Sequence, residues 1–317
     1  MHMENVNVTE FMLIGFKNLN NFRLFIFILF LIIYIFTLSG NLLIILLVAT
    51  SSRLHSPMYF FLCNLSISEV VFITNIIPNM LDNLLSEDDA ISVPACLTQY
   101  YFFSSTATTE CLLLGIMSYD RYLAICKPLH YFSLMNIQFC CRTATWAWLA
   151  GLTISMITLT LLCKSQFCGP NLIDNFFCDL SPLIELSCSD TFIIEMESFI
   201  FASLLTLLPF IFIITTYIII LYNIYKIPSS TGRKKAFSTC SSHLAVVAIY
   251  YGTLITMYVA PSGKQIFSIR KALSLLYTVV TPLLNPIVYS LRNKEIHNAL
   301  NTLLKNVVKP FNKHLSL

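Results

Sequence analysis

Residues 24–50 read LFIFILFLIIYIFTLSGNLLIILLVAT and contain no charged side chain. A helix needs about 20 apolar residues to cross the hydrocarbon core of a bilayer, because each residue adds only about 1.5 Å to its length. This run is long enough by itself. It predicts a transmembrane helix near the N-terminus.

Similar runs follow along the whole chain. Residues 57–81 contain Glu69 as their only charged side chain, and residues 91–119 contain only Glu110. The remaining runs, which lack Asp, Glu, Lys and Arg, are 143–163, 198–225, 236–263 and 272–291. The chain is 56% apolar and 11% charged, whereas a soluble domain carries about 25% charge. The patterning predicts an all-α membrane protein, a seven-transmembrane helix bundle over 24–291.

The charges in the connecting segments predict the orientation. With the N-terminal segment 1–23 outside the cell, the outer segments contain twelve acids against six basic residues. The inner segments, including the tail 292–317, contain thirteen basic residues, and Asp120 and Glu295 are their only acids. Lys and Arg favour the cytoplasmic side of a membrane. The distribution predicts a multi-pass plasma-membrane protein with an extracellular N-terminus and a cytoplasmic C-terminus.

Both terminal segments carry further signals. No compact apolar region typical of a cleavable signal peptide lies within the first twenty residues, so the first span is expected to direct membrane insertion. Asn7-Val8-Thr9 forms an N-glycosylation sequon on the outer side. After 291, apolar residues repeat at helical spacing opposite polar ones, which predicts an amphipathic helix on the inner leaflet.

The cysteines divide between the two sides of the membrane. Cys96, Cys168, Cys178 and Cys188 fall on the oxidising outer side, where they can form disulfides. Four cysteines allow three pairings, and the spacing does not choose among them. A bridge from Cys96 would draw the long outer loop across the helix bundle.

Two motifs mark the inner ends of spans three and seven. MSYDRY occupies residues 117–122, and TPLLNPIVY occupies 281–289. Two prolines and an Asn in an apolar helix free backbone carbonyls and make the segment deformable. Together, at these two places in a bundle of seven spans, the motifs resemble the rhodopsin-like receptor superfamily.

Finer motifs narrow the resemblance. PMYFFL opens span two at residues 57–62, SYDRYLAICKPLHY covers 118–131, and KAFSTCSSHL covers 235–244. With Gly40-Asn41 in span one and the long outer loop, they resemble the odorant (olfactory) receptor family, of the tetrapod-type class, over nearly the whole chain. Glu69 stands where that family usually has Asp, and Thr216 where it usually has Ser.

The resemblance carries several expectations. It implies the pairs Cys96–Cys178 and Cys168–Cys188. It implies a small volatile ligand, activation of the olfactory stimulatory heterotrimeric G protein with a rise in cyclic AMP, and expression in the cilia of olfactory sensory neurons. Receptor-transport chaperones and the lipid bilayer are expected partners. Neither a nucleic-acid partner nor an enzymatic activity is expected.

The polar residues inside the bundle suggest a switch. Charges within a membrane are costly, so Glu69 and Glu110 are expected either to hydrogen-bond between helices or to hold a cation such as sodium. No other cofactor is expected. The residues predicted for activation and G-protein coupling are Asp120, Arg121, Tyr122, Tyr217, His243, Asn285, Pro286 and Tyr289.

The ligand site is expected in the upper bundle between spans three, five, six and seven. Its predicted wall mixes hydrophobic residues with hydroxyls, as small-molecule pockets do. Phe103 stands where aminergic receptors have an Asp, so the predicted ligand is mostly neutral and apolar, with Thr256 and Tyr251 as preferred polar contacts. The predicted set is Phe103, Ser104, Ala107, Thr108, Cys111, Asp179, Phe201, Ala202, Leu205, Thr206, Tyr251, Gly252, Ile255, Thr256, Val259, Leu275 and Thr278.

Two other functions fit the spans less well. A non-olfactory rhodopsin-like receptor for another small ligand shares the architecture but would not require the finer motifs. A transporter would be expected to show inverted repeats or a charged path across the membrane, and neither is visible.

Overall fold

The structure is a computed structural model that describes residues 8–16, 22–86, 90–168, 170–259, 273–291 and 293–314. Within these ranges it contains seven long helices, as the sequence predicted. They are α1 (Arg23–Thr50), α2 (Pro57–Leu85), α3 (Val93–Cys126), α4 (Ile137–Leu162), α5 (Phe192–Tyr225), α6 (Ser230–Val259) and α7, a π-helical turn (Leu276–Val280) that continues as an α-helix (Thr281–Leu291). The sequon at Asn7 lies outside the described residues.

The helices extend beyond the apolar runs that revealed them. α3 continues past residue 119 to Cys126, and α4 begins at Ile137 instead of 143. Hydropathy detects only the part of a helix that lies in hydrocarbon, and backbone hydrogen bonding continues beyond it. By length and composition alone, α1, α2, α4 and α5 are long and apolar enough to span a membrane.

α3 is the central helix of the bundle. It packs against α2, α4 and α5, and it also contacts α6. Its polar positions are buried against these neighbours: Thr106, Thr109 and Ser118 are at most 2% exposed, and each donates a hydrogen bond to a backbone carbonyl of α3 itself. Because these hydroxyls are hydrogen-bonded within the helix, α3 can lie inside a membrane bundle although its sequence is only moderately apolar.

The face of the bundle predicted to lie outside the cell, called the outer face from here on, is held by a small sheet that the apolar runs did not predict. Its strands β1 (Glu10–Leu13), β2 (Ala90–Ser92) and β3 (Leu172–Ile173) lie in the order β2-β1-β3. β1 pairs antiparallel with β2 and parallel with β3, so the N-terminal segment joins two outer loops. Phe11, which is fully buried, packs edge-on against Phe167.

Two disulfides complete the outer face. Cys96, in the first turn of α3, pairs with Cys178 at a Cα–Cα distance of 5.4 Å, and Cys168 pairs with Cys188 at 5.9 Å. These are the pairs that the family resemblance implied. The first bridge draws the outer loop over the bundle.

At the opposite end of the bundle, predicted to be cytoplasmic and called the inner face from here on, the expected amphipathic helix is present as α8 (Lys294–His314). Ile296 and Ala299 are about 5% exposed, while His297 and Asn298 on the other face are exposed. α8 contacts the 3₁₀ turn Ser52–Leu54 between α1 and α2. The apolar stripe thus anchors the helix to the bundle along its first turns.

Candidate functional site

A cavity of about 700 Å³ lies in the outer half of the bundle, between α3, α4, α5 and α6. The short helix Leu180–Glu185, which follows the bridged Cys178, contributes to its outer wall. Cavities of roughly 300–1,000 Å³ hold small organic ligands. The position of this cavity follows from the disulfide, because the bridge holds the loop helix above the bundle.

Much of the predicted ligand set lies on the wall of this cavity. α3 and α5 contribute every residue that the sequence assigned to them, because each set follows one face of its helix at spacings of three and four. The predicted residues on the wall are Phe103, Ser104, Ala107, Thr108, Cys111, Asp179, Phe201, Ala202, Leu205, Thr206 and Ile255.

Other predicted residues lie elsewhere. Tyr251 is fully buried, its hydroxyl donates to the backbone carbonyl of Cys111 at 3.1 Å, and its ring packs on Phe210. Gly252 is exposed and has open space around its Cα. Neither Leu275 nor Thr278 belongs to the wall, and the Thr278 hydroxyl is used within α7, where it donates to the Ser274 carbonyl at 2.7 Å.

The side chains of Thr256 and Val259 lie outside the described residues, as does that of Tyr289. Their predicted roles therefore rest on the sequence.

The inner end of α3 carries a compact polar cluster. Arg121 and Asp120 form a salt bridge of 2.7 Å, with Asp120 fully buried. The Tyr131 hydroxyl donates to the other carboxylate oxygen at 2.8 Å. Burial first, and then the negative charge of Asp120, raise the pKa of Tyr131, so its hydroxyl keeps the proton that it donates.

A second polar contact joins α5 to α6. The Tyr217 hydroxyl and Nδ1 of His243 lie 2.7 Å apart, with their rings stacked and both side chains at most 3% exposed. Both residues belong to the activation set that the sequence predicted. In the described residues the His243 ring contacts Tyr217 of α5 and lies near enough to Arg121 to experience its positive charge.

The two buried carboxylates lie together in the middle of the bundle. Glu69 and Glu110 are at most 2% exposed, and Asn285 donates its side-chain amide to Glu69. Within the described residues, the second oxygen of Glu69, one oxygen of Glu110 and the side-chain oxygen of Asn285 have no hydrogen-bond partner. Several buried oxygen acceptors without donors suit a hard cation or additional protons.

Comparison with known proteins decides the family. The family model described as olfactory receptor matches residues 30–307. The chain is 47% identical to human olfactory receptor 11L1 over 298 residues, which covers 94% of this chain and 92% of that protein. It is 45% identical to human olfactory receptor 11A1 over 95% of each chain, and 42% identical to mouse olfactory receptor 1M1 over 96% of this chain and 97% of that one.

The chain belongs to the olfactory receptor family.

It is therefore a G-protein-coupled receptor and not an enzyme, as the motifs at residues 117–122 and 281–289 indicated. The inner polar cluster and the outer cavity of this olfactory receptor lie on the same helices. α3 carries both Phe103 and Arg121, and α6 carries both Tyr250 and His243. A movement of α3 or α6 at the cavity is thus mechanically connected to the inner face.

Several wall residues of the olfactory receptor's cavity were not predicted from the sequence. α4 contributes Ile154 and Thr158, although no α4 residue was predicted for the site. On α6, Tyr250 and Leu254 line the cavity in place of the predicted Tyr251 and Gly252. The half of α6 near the cavity, residues 244–259, is uncharged and has its tyrosines and threonines on several sides, so its sequence gives no amphipathic signal to indicate the inward face.

Proposed function

We propose that this olfactory receptor binds a small, mostly neutral and apolar volatile in the outer cavity and activates a stimulatory heterotrimeric G protein, which raises cyclic AMP. One observation carries the proposal: the cavity is lined chiefly by apolar side chains and hydroxyls and lies between helices that also carry the inner polar cluster. Phe103, Leu205 and Leu254 provide the apolar wall. Burying an apolar ligand there gains about 25 cal/mol per Å² of its surface.

The proposed activation breaks contacts at the inner face. Ligand binding favours a state in which α6 moves outward, so that the Tyr217–His243 contact and the Asp120–Arg121 pair rearrange. Tyr217, with Tyr289 of α7, then stabilises the opened cleft. Asn285 and Pro286 make α7 deformable, and Tyr122 lies next to Arg121 where the G protein docks. A ligand drives this change only through its higher affinity for the open state.

The buried carboxylates fit a sodium ion in the resting receptor. Glu69, Glu110 and Asn285 would hold it through oxygen atoms that otherwise lack donors. Replacing sodium by choline in the medium is expected to raise basal cyclic AMP in the wild-type receptor and to have no effect in Glu69→Gln. An equal response of both receptors to choline would favour interhelical hydrogen bonds without an ion.

The receptor is proposed to act in the plasma membrane of olfactory cilia, with its N-terminus outside, after delivery by receptor-transport chaperones. The disulfides and β1 lie at the same end of the bundle, which supports an oxidising environment on that side.

The central test is a screen of volatile compounds in cells that express the receptor with its chaperones and a cyclic AMP reporter. At least one apolar volatile is expected to give a saturable response that Ala107→Phe abolishes by filling the cavity. Surface labelling must show equal delivery of both proteins. A response that survives Ala107→Phe would move the ligand site away from this cavity.

A further inference from the structure

One corner of the cavity is polar and is formed by Tyr100, Ser104 and Thr158. It lies where α3, α4 and α5 meet. Thr158 of α4 lines the cavity there and is 4% exposed. Its hydroxyl oxygen lies 2.9 and 3.1 Å from the two carboxylate oxygens of Glu197 on α5. Glu197 does not line the cavity. Its half-buried carboxylate contacts the Thr158 hydroxyl, which does.

This contact determines what Thr158 offers to a ligand. A hydroxyl has one hydrogen to donate and two lone pairs that accept. The Thr158 oxygen also lies 3.4 Å from the Ile154 carbonyl, but the Glu197 oxygens are closer and carry the charge. The hydrogen of Thr158 is therefore directed to Glu197, because charge-assisted bonds are roughly twice as strong as neutral ones. The oxygen of Thr158 therefore presents lone pairs to the cavity and no donor.

Two further wall hydroxyls, those of Tyr250 and Ser198, also donate their hydrogens to the protein. The Tyr250 hydroxyl donates to the Ala107 carbonyl at 2.7 Å and accepts from the Cys111 thiol at 3.5 Å. The Ser198 hydroxyl donates to the Glu195 carbonyl at 3.0 Å. Both hydroxyls therefore donate to backbone carbonyls of the receptor and not to a ligand.

The charged residues around the cavity also favour a ligand group that donates a hydrogen bond. Asp179, Glu185 and Glu195 lie on the wall, and among the described residues no Lys, Arg or His does. Tyr100, whose hydroxyl interacts with the Ser104 and Thr158 side chains at this corner, experiences the negative charges of both Asp179 and Glu197. A ligand group with a partial positive charge is favoured there, and a carbonyl oxygen is disfavoured.

We propose that the agonist carries a hydrogen-bond donor, a hydroxyl or an amine, which it donates to Thr158 at this corner, with its apolar body along Phe103 and Leu205. Glu197 is the residue that sets this specificity, by holding the Thr158 hydrogen. The inference rests on the proposed function and adds the chemical class of the ligand. Molecules of the same skeleton whose only polar group is an aldehyde or ketone bind more weakly.

The experiment compares matched compounds on one carbon skeleton with the cyclic AMP reporter. The sets are n-octanol, n-octylamine and n-octanal; benzyl alcohol, benzylamine and benzaldehyde; and menthol with menthone. For any skeleton that activates the receptor, the donor-bearing compound is expected to be about tenfold more potent than the carbonyl compound. The alcohol and amine arms show whether a neutral or a cationic donor is preferred.

Variants at the corner connect this preference to the two residues. Thr158→Val is expected to lower alcohol potency about tenfold and to leave carbonyl potency within about twofold. Thr158→Ser keeps the hydroxyl and the preference. Glu197→Gln, whose amide both donates and accepts, is expected to reduce the preference to about threefold or less.

Thr160→Val is the matched control, because Thr160 is exposed on the same helix and its hydroxyl donates to the Met156 carbonyl at 2.7 Å. Surface labelling normalises each variant for delivery.

The possible outcomes separate the two proposals. Carbonyl compounds that equal or exceed their alcohols and amines in every activating set would overturn the donor inference and leave the proposed function standing. The same holds if Thr158→Val and Glu197→Gln keep the wild-type preference. A receptor that reaches the surface but responds to no volatile at all would overturn the proposed function, and the donor inference would fall with it.

Discussion

Arg121 is the residue whose environment most directly suggests a switch. Its guanidinium is 12% exposed and is paired with the fully buried Asp120, which also accepts from Tyr131. The Tyr131 hydrogen bond remains to satisfy the buried carboxylate when Arg121 leaves it. In the proposed mechanism the pair has two states, paired at rest and released when Arg121 contacts the G protein.

Arg121→Ala is expected to abolish the cyclic AMP response while leaving the receptor at the cell surface, because it removes the group proposed to contact the G protein and leaves the helix bundle intact. The response to an activating volatile and the amount of labelled surface receptor are measured together. Arg142→Ala is the control, since Arg142 is exposed at the inner end of α4 and its guanidinium carbon lies 6.0 Å from the centre of the Phe139 ring. Normal signalling by Arg121→Ala would remove the proposed role.

Tyr131→Phe tests the other partner of Asp120. The variant removes one hydrogen bond to the carboxylate, worth about 1.5–3 kcal/mol because the acceptor is charged, and so weakens the resting state. A several-fold higher basal cyclic AMP level is expected, with no change in agonist potency rank. The raised pKa of Tyr131 predicts that the wild-type contact persists at every pH compatible with living cells, since the hydroxyl does not lose its proton there.

At the scale of helices, α3 and α4 approach each other closely at Gly151. A Cβ on Gly151 would collide with the backbone carbonyl of Ser105 and with the Thr109 hydroxyl. The absence of a side chain lets the two helices touch, as small residues do in membrane bundles. This contact positions Thr158 and Ile154, two turns or less from Gly151, against the cavity.

Gly151→Ala is expected to cost about 1–3 kcal/mol of stability, because a backbone carbonyl cannot move aside as a flexible side chain does. Surface delivery and the midpoint of thermal unfolding in detergent should both fall. Gly115→Ala is the matched control on α3, where the new Cβ would lie 3.6 Å from Pro209, an ordinary contact. Equal behaviour of the two variants would contradict the close approach.

A comparison of α3 with α6 shows which cavity residues can be predicted from the sequence. α3 residues such as Phe103 and Thr108 could be assigned to the cavity because α3 is central and its inward face repeats at helical spacing. On α6 the same reasoning named Tyr251, whereas Tyr250 lines the cavity. One residue rotates a helix by about 100°, and the uncharged cavity half of α6, with hydroxyl groups on several sides, offers no single polar face to set that rotation.

At the scale of the whole molecule, the Cys96–Cys178 bridge decides where the cavity ends. It ties the outer loop to the first turn of α3 and holds Asp179 and Leu180 at the cavity wall. The sheet formed by β1, β2 and β3 holds the same loop from the N-terminal side. The outer face is thus fastened at two independent places.

Cys96→Ser is expected to destabilise the receptor by roughly 2–5 kcal/mol and to eliminate the volatile response, since the loop is no longer held over the cavity. Surface labelling and the cyclic AMP response are the measurements. Cys141→Ser is the control, because Cys141 is a free, exposed cysteine. A full response from Cys96→Ser would show that the β-sheet alone suffices to position the loop.

The seven apolar runs, the placement of Lys and Arg, and the motifs around Arg121 and Pro286 determined the bundle, its expected direction in the membrane and the family. These features are local, because burial in lipid acts on each helix separately. Only the tertiary structure decided which α4 and α6 residues face the cavity, that Glu197 lies behind Thr158, and that the N-terminal strand closes the outer face. Those facts depend on helix rotation and on contacts between residues far apart in the chain, which hydropathy and short motifs do not encode.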